Sequence, residues 1–164
     1  MPISVRLNVK VPQQVFDSQA AVQRIVRTMQ EKTAPALKEL FGQSVEGWQN
    51  PPEWSQKQTV AQTYISMQVY ASGENAKQYA IVNNGSPPHL ITPRRAGYLR
   101  FRSGYIAGTV PKSLHSKAFI RYGPYVTVMN GVNHPGFEAR EFDQTVADEH
   151  YDQFVQDMQD AMKP

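Results

Sequence analysis

Residues 59–70 read TVAQTYISMQVY. Within this stretch Thr63, Ile65, Met67 and Val69 fall on one side, and Tyr64, Ser66, Gln68 and Tyr70 on the other. A two-residue period of this kind belongs to a strand with one face on a core. The reading places one strand over Thr59–Tyr70, closed by a turn at Ser72 and Gly73. Upstream, Ile3, Val5, Leu7 and Val9 alternate with Ser4, Arg6, Asn8 and Lys10, which predicts a second half-buried strand ended by Pro12.

The segment between these strands changes period. Val22, Ile25, Val26, Met29, Leu37, Leu40 and Phe41 follow helical spacing, with Asp17 or Ser18 as the N-cap and Gly42 as the stop. Pro35 lies inside this pattern and either kinks the helix or splits it in two. Gly47–Trp54 (GWQNPPEW) reads as a loop that Trp48 and Trp54 pin onto the core.

Downstream, Gln78–Asn83 is an apolar run that fits a strand or a helix end, and Asn84, Gly85, Pro87 and Pro88 break regular structure after it. Leu99–Phe101 and Tyr125–Met129 read as short strands, with a tight turn at Asn130–Gly131 and a loop over 133–140. A second helix starts near Asp143 and carries Ala147, Tyr151, Phe154, Val155, Met158, Ala161 and Met162 on one stripe. Asp148, Asp152, Asp157 and Asp160 fall mostly off that stripe. The expectation is one α+β domain over 1–164: an antiparallel sheet of four or five strands packed by two helices, with one long basic loop at about 86–122.

Charge is segregated along the chain. Residues 1–74 carry seven Lys/Arg and six Asp/Glu, residues 75–137 carry eight and none, and residues 138–164 carry two and eight. A basic middle and an acidic end suit subunits stacking head to tail around a ring, or a helix whose acidic side is simply solvated. The chain has no cysteine, so disulfides and thiolate chemistry are excluded. No run approaches the roughly 18 apolar residues of a membrane span. Residues 1–10 do not form a signal peptide, so the chain reads as soluble and unprocessed, with no membrane partner.

No phosphate-binding glycine loop, HExxH or GxSxG is present. His89, His115, His134 and His150 have no helical His partner at metal-ligand spacing. Glu138, Glu141 and Asp143 fit a helix N-terminus more simply than a cation site. The reading is therefore not an enzyme, with no catalytic residue, cofactor or metal. Basic residues interleaved with aromatics, Arg94, Arg95, Tyr98, Arg100, Phe101, Arg102 and Tyr105, are material for an interface, or for a DNA-binding module as the alternative.

Two stretches carry a resemblance: Tyr79–Phe101, YAIVNNGSPPHLITPRRAGYLRF, and Val132–Phe142, VNHPGFEAREF. Tyr79, Ala80, Val82, Gly85, Ser86, Pro93, Arg94, Leu99 and Phe101, followed by Val132, His134, Pro135, Gly136, Ala139, Arg140 and Phe142, make the pattern. In order and spacing they resemble the tail-component, or head–tail connector and tail-completion, family of long-tailed bacteriophages. The match runs from about residue 75 to the end, whereas the N-terminal half fits only in layout. Glu141 stands where the family often has proline, and the segment 104–125 is longer than the family leads one to expect.

The resemblance implies a structural neck protein of the virion, assembled in the host cytoplasm. It would form a ring homo-oligomer, hexameric or dodecameric, between an adjacent head-completion or adaptor ring and the tail-tube proteins, with DNA passing through. On this reading Arg94, Arg95, Tyr98, Arg100, Phe101, Arg102 and Tyr105 make subunit or ring contacts. His134, Pro135 and Gly136 form a turn that positions the last helix.

Overall fold

Antiparallel pairing sets the centre of the molecule. The computed structural model describes residues 4–16, 18–104, 109–114 and 123–163. Strand β1 (Ser4–Lys10) lies beside β3 (Tyr64–Ser72), and β3 beside β2 (Glu53–Val60), giving a three-stranded sheet in the order β1-β3-β2. The register places Val5 opposite Val69, Leu7 opposite Met67 and Val9 opposite Ile65. These six side chains are buried and form the inner face of the sheet.

The stretch 59–70 is thus not one strand. The chain turns at 61–63, and Val60 pairs with Ile65 across the hairpin. The Trp loop is also shorter than expected, because Glu53 and Trp54 already belong to β2.

After a short turn α1 (Gln13–Phe16), the first long helix runs as α2 (Gln19–Thr28), a π turn (Met29–Thr33) and α3 (Ala34–Ser44). Ser18 caps it by accepting from Ala21 N. Pro35 neither stops nor splits this helix. Proline cannot donate to the carbonyl four residues back, and the π turn absorbs the mismatch: Ala34 N reaches back to Met29 O while the backbone stays helical at Thr33 and Ala34. Ile25, Met29, Leu37 and Phe41 are fully buried against the sheet and the last helix.

Helix α4 (Ala76–Asn84) resolves the apolar run at 78–83 as helix, and α5 (Phe142–Met162) closes the layer. The buried stripe of α5 is Phe142, Val146, His150, Phe154, Asp157, Met158 and Ala161, rotated from the expected one. Tyr151 faces out, while His150 and Asp157 face in. Lys32 reaches Asp157 at 3.4 Å, and Gln153 donates to the same carboxylate oxygen at 3.1 Å. Arg24 anchors the other end of α5, donating to Ala161 O and Lys163 O, carbonyls that helix geometry leaves unpaired.

Tyr79 of α4 lies at the centre of an aromatic cluster. Trp54 and Phe142 flank its ring at centroid distances of 5.0 and 5.7 Å, and Trp54 stacks on Phe41 at 4.6 Å. Trp48 also touches the Tyr79 ring, so both tryptophans serve as anchors. Among the described residues the buried Tyr79 hydroxyl has no hydrogen-bond partner. Burial pushes its pKa up, the Asp143 charge adds to the rise, and the neighbouring Ser44 hydroxyl opposes it. Ser44 Oγ donates its own proton to Phe41 O at 2.7 Å, and among the described residues no oxygen meets the Tyr79 hydroxyl with hydrogen-bond geometry. Burial likewise pushes the pKa of His150 down, against the Asp157 charge, and its Nε2 has no hydrogen-bond partner among the described residues.

The architecture is mixed α+β with antiparallel strands, but it does not hold one sheet of four or five strands packed by two helices. The remaining described strands leave the core and pair among themselves. β4 (His89–Ile91) pairs with β7 (Val132–His134), and β5 (Leu99–Arg102) pairs with β6 (Tyr125–Val128). Alternation in a short segment reports a strand but not its neighbour. Here Gly85, Pro87 and Pro88 turn the chain away from the sheet after α4. The expected loop at 86–122 therefore carries β4 and β5 in its described part.

Candidate functional site

The two ribbons stand on a tightly built base. α4 ends at Gly85, whose φ of +73° is a conformation glycine adopts without strain. A Cβ there would lie 2.6 Å from Ala139 N, so the close approach of the returning chain also requires glycine. Ser86 and Phe137 exchange backbone hydrogen bonds of 3.0 and 2.9 Å, and Arg140 N and Glu141 N donate to Val82 O and Asn83 O. Chain departure and chain return are thus fastened side by side.

The same contacts start α5. Glu141, at its N-cap position, has φ +53° and offers no side-chain cap. The buried Asn83 replaces it: its Oδ1 accepts from Asp143 N at 3.1 Å. Segment 109–114 returns to this base as well. Lys112 N donates to Arg140 O, Arg140 Nε donates to Thr109 Oγ1, Lys112 pairs with Glu141 at 3.4 Å, and Leu114 is buried.

The predicted turn residues occupy this base. Gly136 has φ +78°, and a Cβ on it would overlap the carbonyl oxygen of Ser86. Gly136 N donates to His134 Nδ1 at 3.0 Å, which assigns the proton of a neutral His134 to Nε2. In the ribbon β4–β7, His134 faces His89 and the two rings stack at 5.1 Å. His89 Nδ1 lies 2.9 Å from Pro87 O; a carbonyl only accepts, so the neutral His89 carries its proton on Nδ1. The next residues of this ribbon, Leu90 and Ile91, are both exposed.

The second ribbon has two unlike faces. Leu99 sits opposite Val128 and Phe101 opposite Val126, which makes one face apolar. Arg100 sits opposite Thr127 and Arg102 opposite Tyr125 on the other. Both guanidinium groups converge on the Tyr125 ring, at 4.8 and 5.0 Å from its centroid. A cation over an aromatic face is attracted by the ring quadrupole, so the exposed Tyr125 ring gathers both arginines on one face. The apolar face is only partly covered: Phe101 is 38% exposed and Val126 36%, while Leu99 and Val128 are half-buried.

Of the other predicted contact residues, Arg94 and Arg95 lie on the exposed bend between β4 and β5, without an ion pair among the described residues. Tyr98 is exposed at the end of that bend. Tyr105 lies outside the described residues. Leu90, Ile91, Tyr125, Val126 and Met129 belong with this surface but were not singled out from sequence. Their signal was present in the apolar content of HLI and YVTVM, which reads equally well as buried strand.

Among the described residues no group of three or more His, Asp or Glu side chains is placed to hold a metal ion. No helix among them is long and apolar enough to cross a membrane. No family model matches the chain, and no curated protein or solved structure matches it.

Proposed function

We propose that this chain is a structural virion protein that forms a ring at the head–tail junction of a tailed phage, joining tail to head and letting DNA pass. The observation that carries the reading is the pair of two-stranded ribbons with exposed apolar side chains. A two-stranded ribbon is marginally stable in water on its own, and aromatic and arginine side chains grouped on an exposed surface are typical anchors of protein contacts. The part of the segment 86–122 that carries Arg94, Arg95, Tyr98, Arg100, Phe101 and Arg102 is the basic arm that meets a neighbouring subunit or ring, while 109–114 is held on the base. The two stretches that resemble the connector family lend support, because Ser86–Phe137 and β4–β7 bring them into direct contact.

Quantitative mass spectrometry of particles from the source phage tests the reading. A stoichiometry of about six or twelve copies fits a closed ring, whereas absence from the particle overturns it. A variant with Arg94, Arg95, Arg100 and Arg102 all changed to Ala is expected to fold normally and yield few particles with joined tails. Wild-type yield would remove the arm from the interface.

A further inference from the structure

The side of the three-stranded sheet away from the helices is built from a restricted set of side chains, exposed mostly on β1 and β2, with Ser66 buried between them. The register arranges them in rows: Ser4, Tyr70 and Ser55; Arg6, Gln68 and Lys57; Asn8, Ser66 and Thr59; then Lys10 and Tyr64. Arg6, Asn8, Lys10, Lys57, Thr59 and Tyr64 are exposed. The rows contain three cations and no carboxylate; Glu53 lies beyond them, opposite Ser72. None of the three cations has an ion pair among the described residues. Arg6 lies across the sheet and donates to Gln68 Oε1 at 3.0 Å, while Gln68 donates to Ser4 Oγ at 2.8 Å.

We infer that this sheet face is a sequence-independent seat for the phosphate backbone of duplex DNA. The composition favours that partner over a protein or a membrane. Phosphate and sugar contacts in protein–DNA complexes come from Arg and Lys together with Ser, Thr, Asn, Gln and Tyr, the residue types in these rows. A protein interface would need an apolar centre and a membrane surface an apolar wedge, yet no aliphatic side chain stands here. Strand spacing puts Arg6 and Lys57 on the order of 10 Å apart across the sheet, and Arg6 and Lys10 about 13 Å apart along it. The cations thus form a broad triangle instead of a single anion pocket.

A three-stranded sheet face, unlike a helix or a two-stranded ribbon, presents no element narrow enough to enter the major groove and read bases, so binding is independent of sequence. The two tyrosines are about 20 Å apart along β3, too far to stack successive unpaired bases, which selects duplex over single strand. The inference stands on the sheet and not on the ring, and it uses a surface separate from the arm.

An amide-resolved NMR titration of the full chain with a short mixed-sequence duplex at low salt tests it. The expected result is shifts confined to β1, β2 and β3, abolished in R6Q/K10Q/K57Q and retained in R94Q/R95Q. All five positions are exposed, so the unliganded spectra verify folding. Three phosphate contacts predict a log affinity against log salt slope of about −2.7, which the triple variant flattens towards zero. Shifts that follow Arg94 and Arg95 overturn the assignment, as does the absence of any shift at low salt. Tighter binding of a single-stranded oligonucleotide, lost on changing Tyr64 and Tyr70 to Ala, would reassign the face to unpaired bases.

Discussion

Changing Tyr79 to Phe removes one oxygen and leaves the ring in place against Trp54, Phe142 and Phe41. A buried hydroxyl without a partner carries a desolvation penalty of about 1–3 kcal/mol. The vacated volume is only that of an oxygen atom, which at the usual cavity coefficient costs roughly 0.5 kcal/mol. Tyr79→Phe is therefore expected to stabilise the protein by about 1 kcal/mol, a rise in Tm of about 2–4 °C for a chain of this size. Guanidinium titration followed by Trp48 and Trp54 fluorescence reads this directly. The wild type should also lose stability as pH rises above 10.0, where the unfolded phenol gives up its proton while the buried one keeps it. The variant lacks that contribution. A loss of more than about 1 kcal/mol in Tyr79→Phe would mean that the hydroxyl is satisfied, and the account of the aromatic cluster would be wrong.

Acid acts through His150 in the opposite sense. Its pKa lies below 6.5 in the folded protein, so as pH falls through 6.5 the unfolded chain takes up a proton that the folded chain refuses. Stability is complete above that pH and declines below it. His150→Leu should flatten this arm of a stability–pH profile, and an unchanged slope would show that other groups set it. Gly136→Ala puts a methyl against Ser86 and strains a left-handed backbone, costing at least about 2 kcal/mol locally. Hydrogen exchange should accelerate at Ser86, Phe137, β4 and β7 but not in the three-stranded sheet. Uniform acceleration would show that the base and the core open together.

Where burial follows a regular period, the sequence was legible. Val5, Leu7 and Val9 marked β1, and Ile25, Met29, Leu37 and Phe41 marked the long helix, because each repeats its contact with a single core face. β2 was not legible: EWSQKQTV places Gln56 and Gln58 where apolar residues would announce a strand. Gln58 is satisfied instead by Val26 O at 3.3 Å and by Gln30 at 2.7 Å, contacts that no periodicity records. The stripe of α5 was misplaced for a related reason. His150 and Asp157 face inward although polar, so apolar residues alone pointed too far towards Tyr151.

At the site, Arg100, Phe101 and Arg102 could be chosen from composition, whereas Gly136 came only with the resemblance and not from the residues around it. The partner of each strand could not. LRF and YVTV alternate like core strands, and only long-range pairing decides that they face each other outside the core.

The fastening of Ser86 to Phe137 separates two kinds of sequence change. What lies between those residues begins and ends at one point, so substitution or lengthening at the far ends of the ribbons does not move α4 relative to α5. Closing such a connection costs only about 0.6 kcal/mol more each time its length doubles. Gly85, Asn83 and Gly136 act as a graft point: a body that keeps its packing below, with 109–114 tied back to it through Lys112 and Leu114, and above it ribbon tips open to rewriting for a different neighbour.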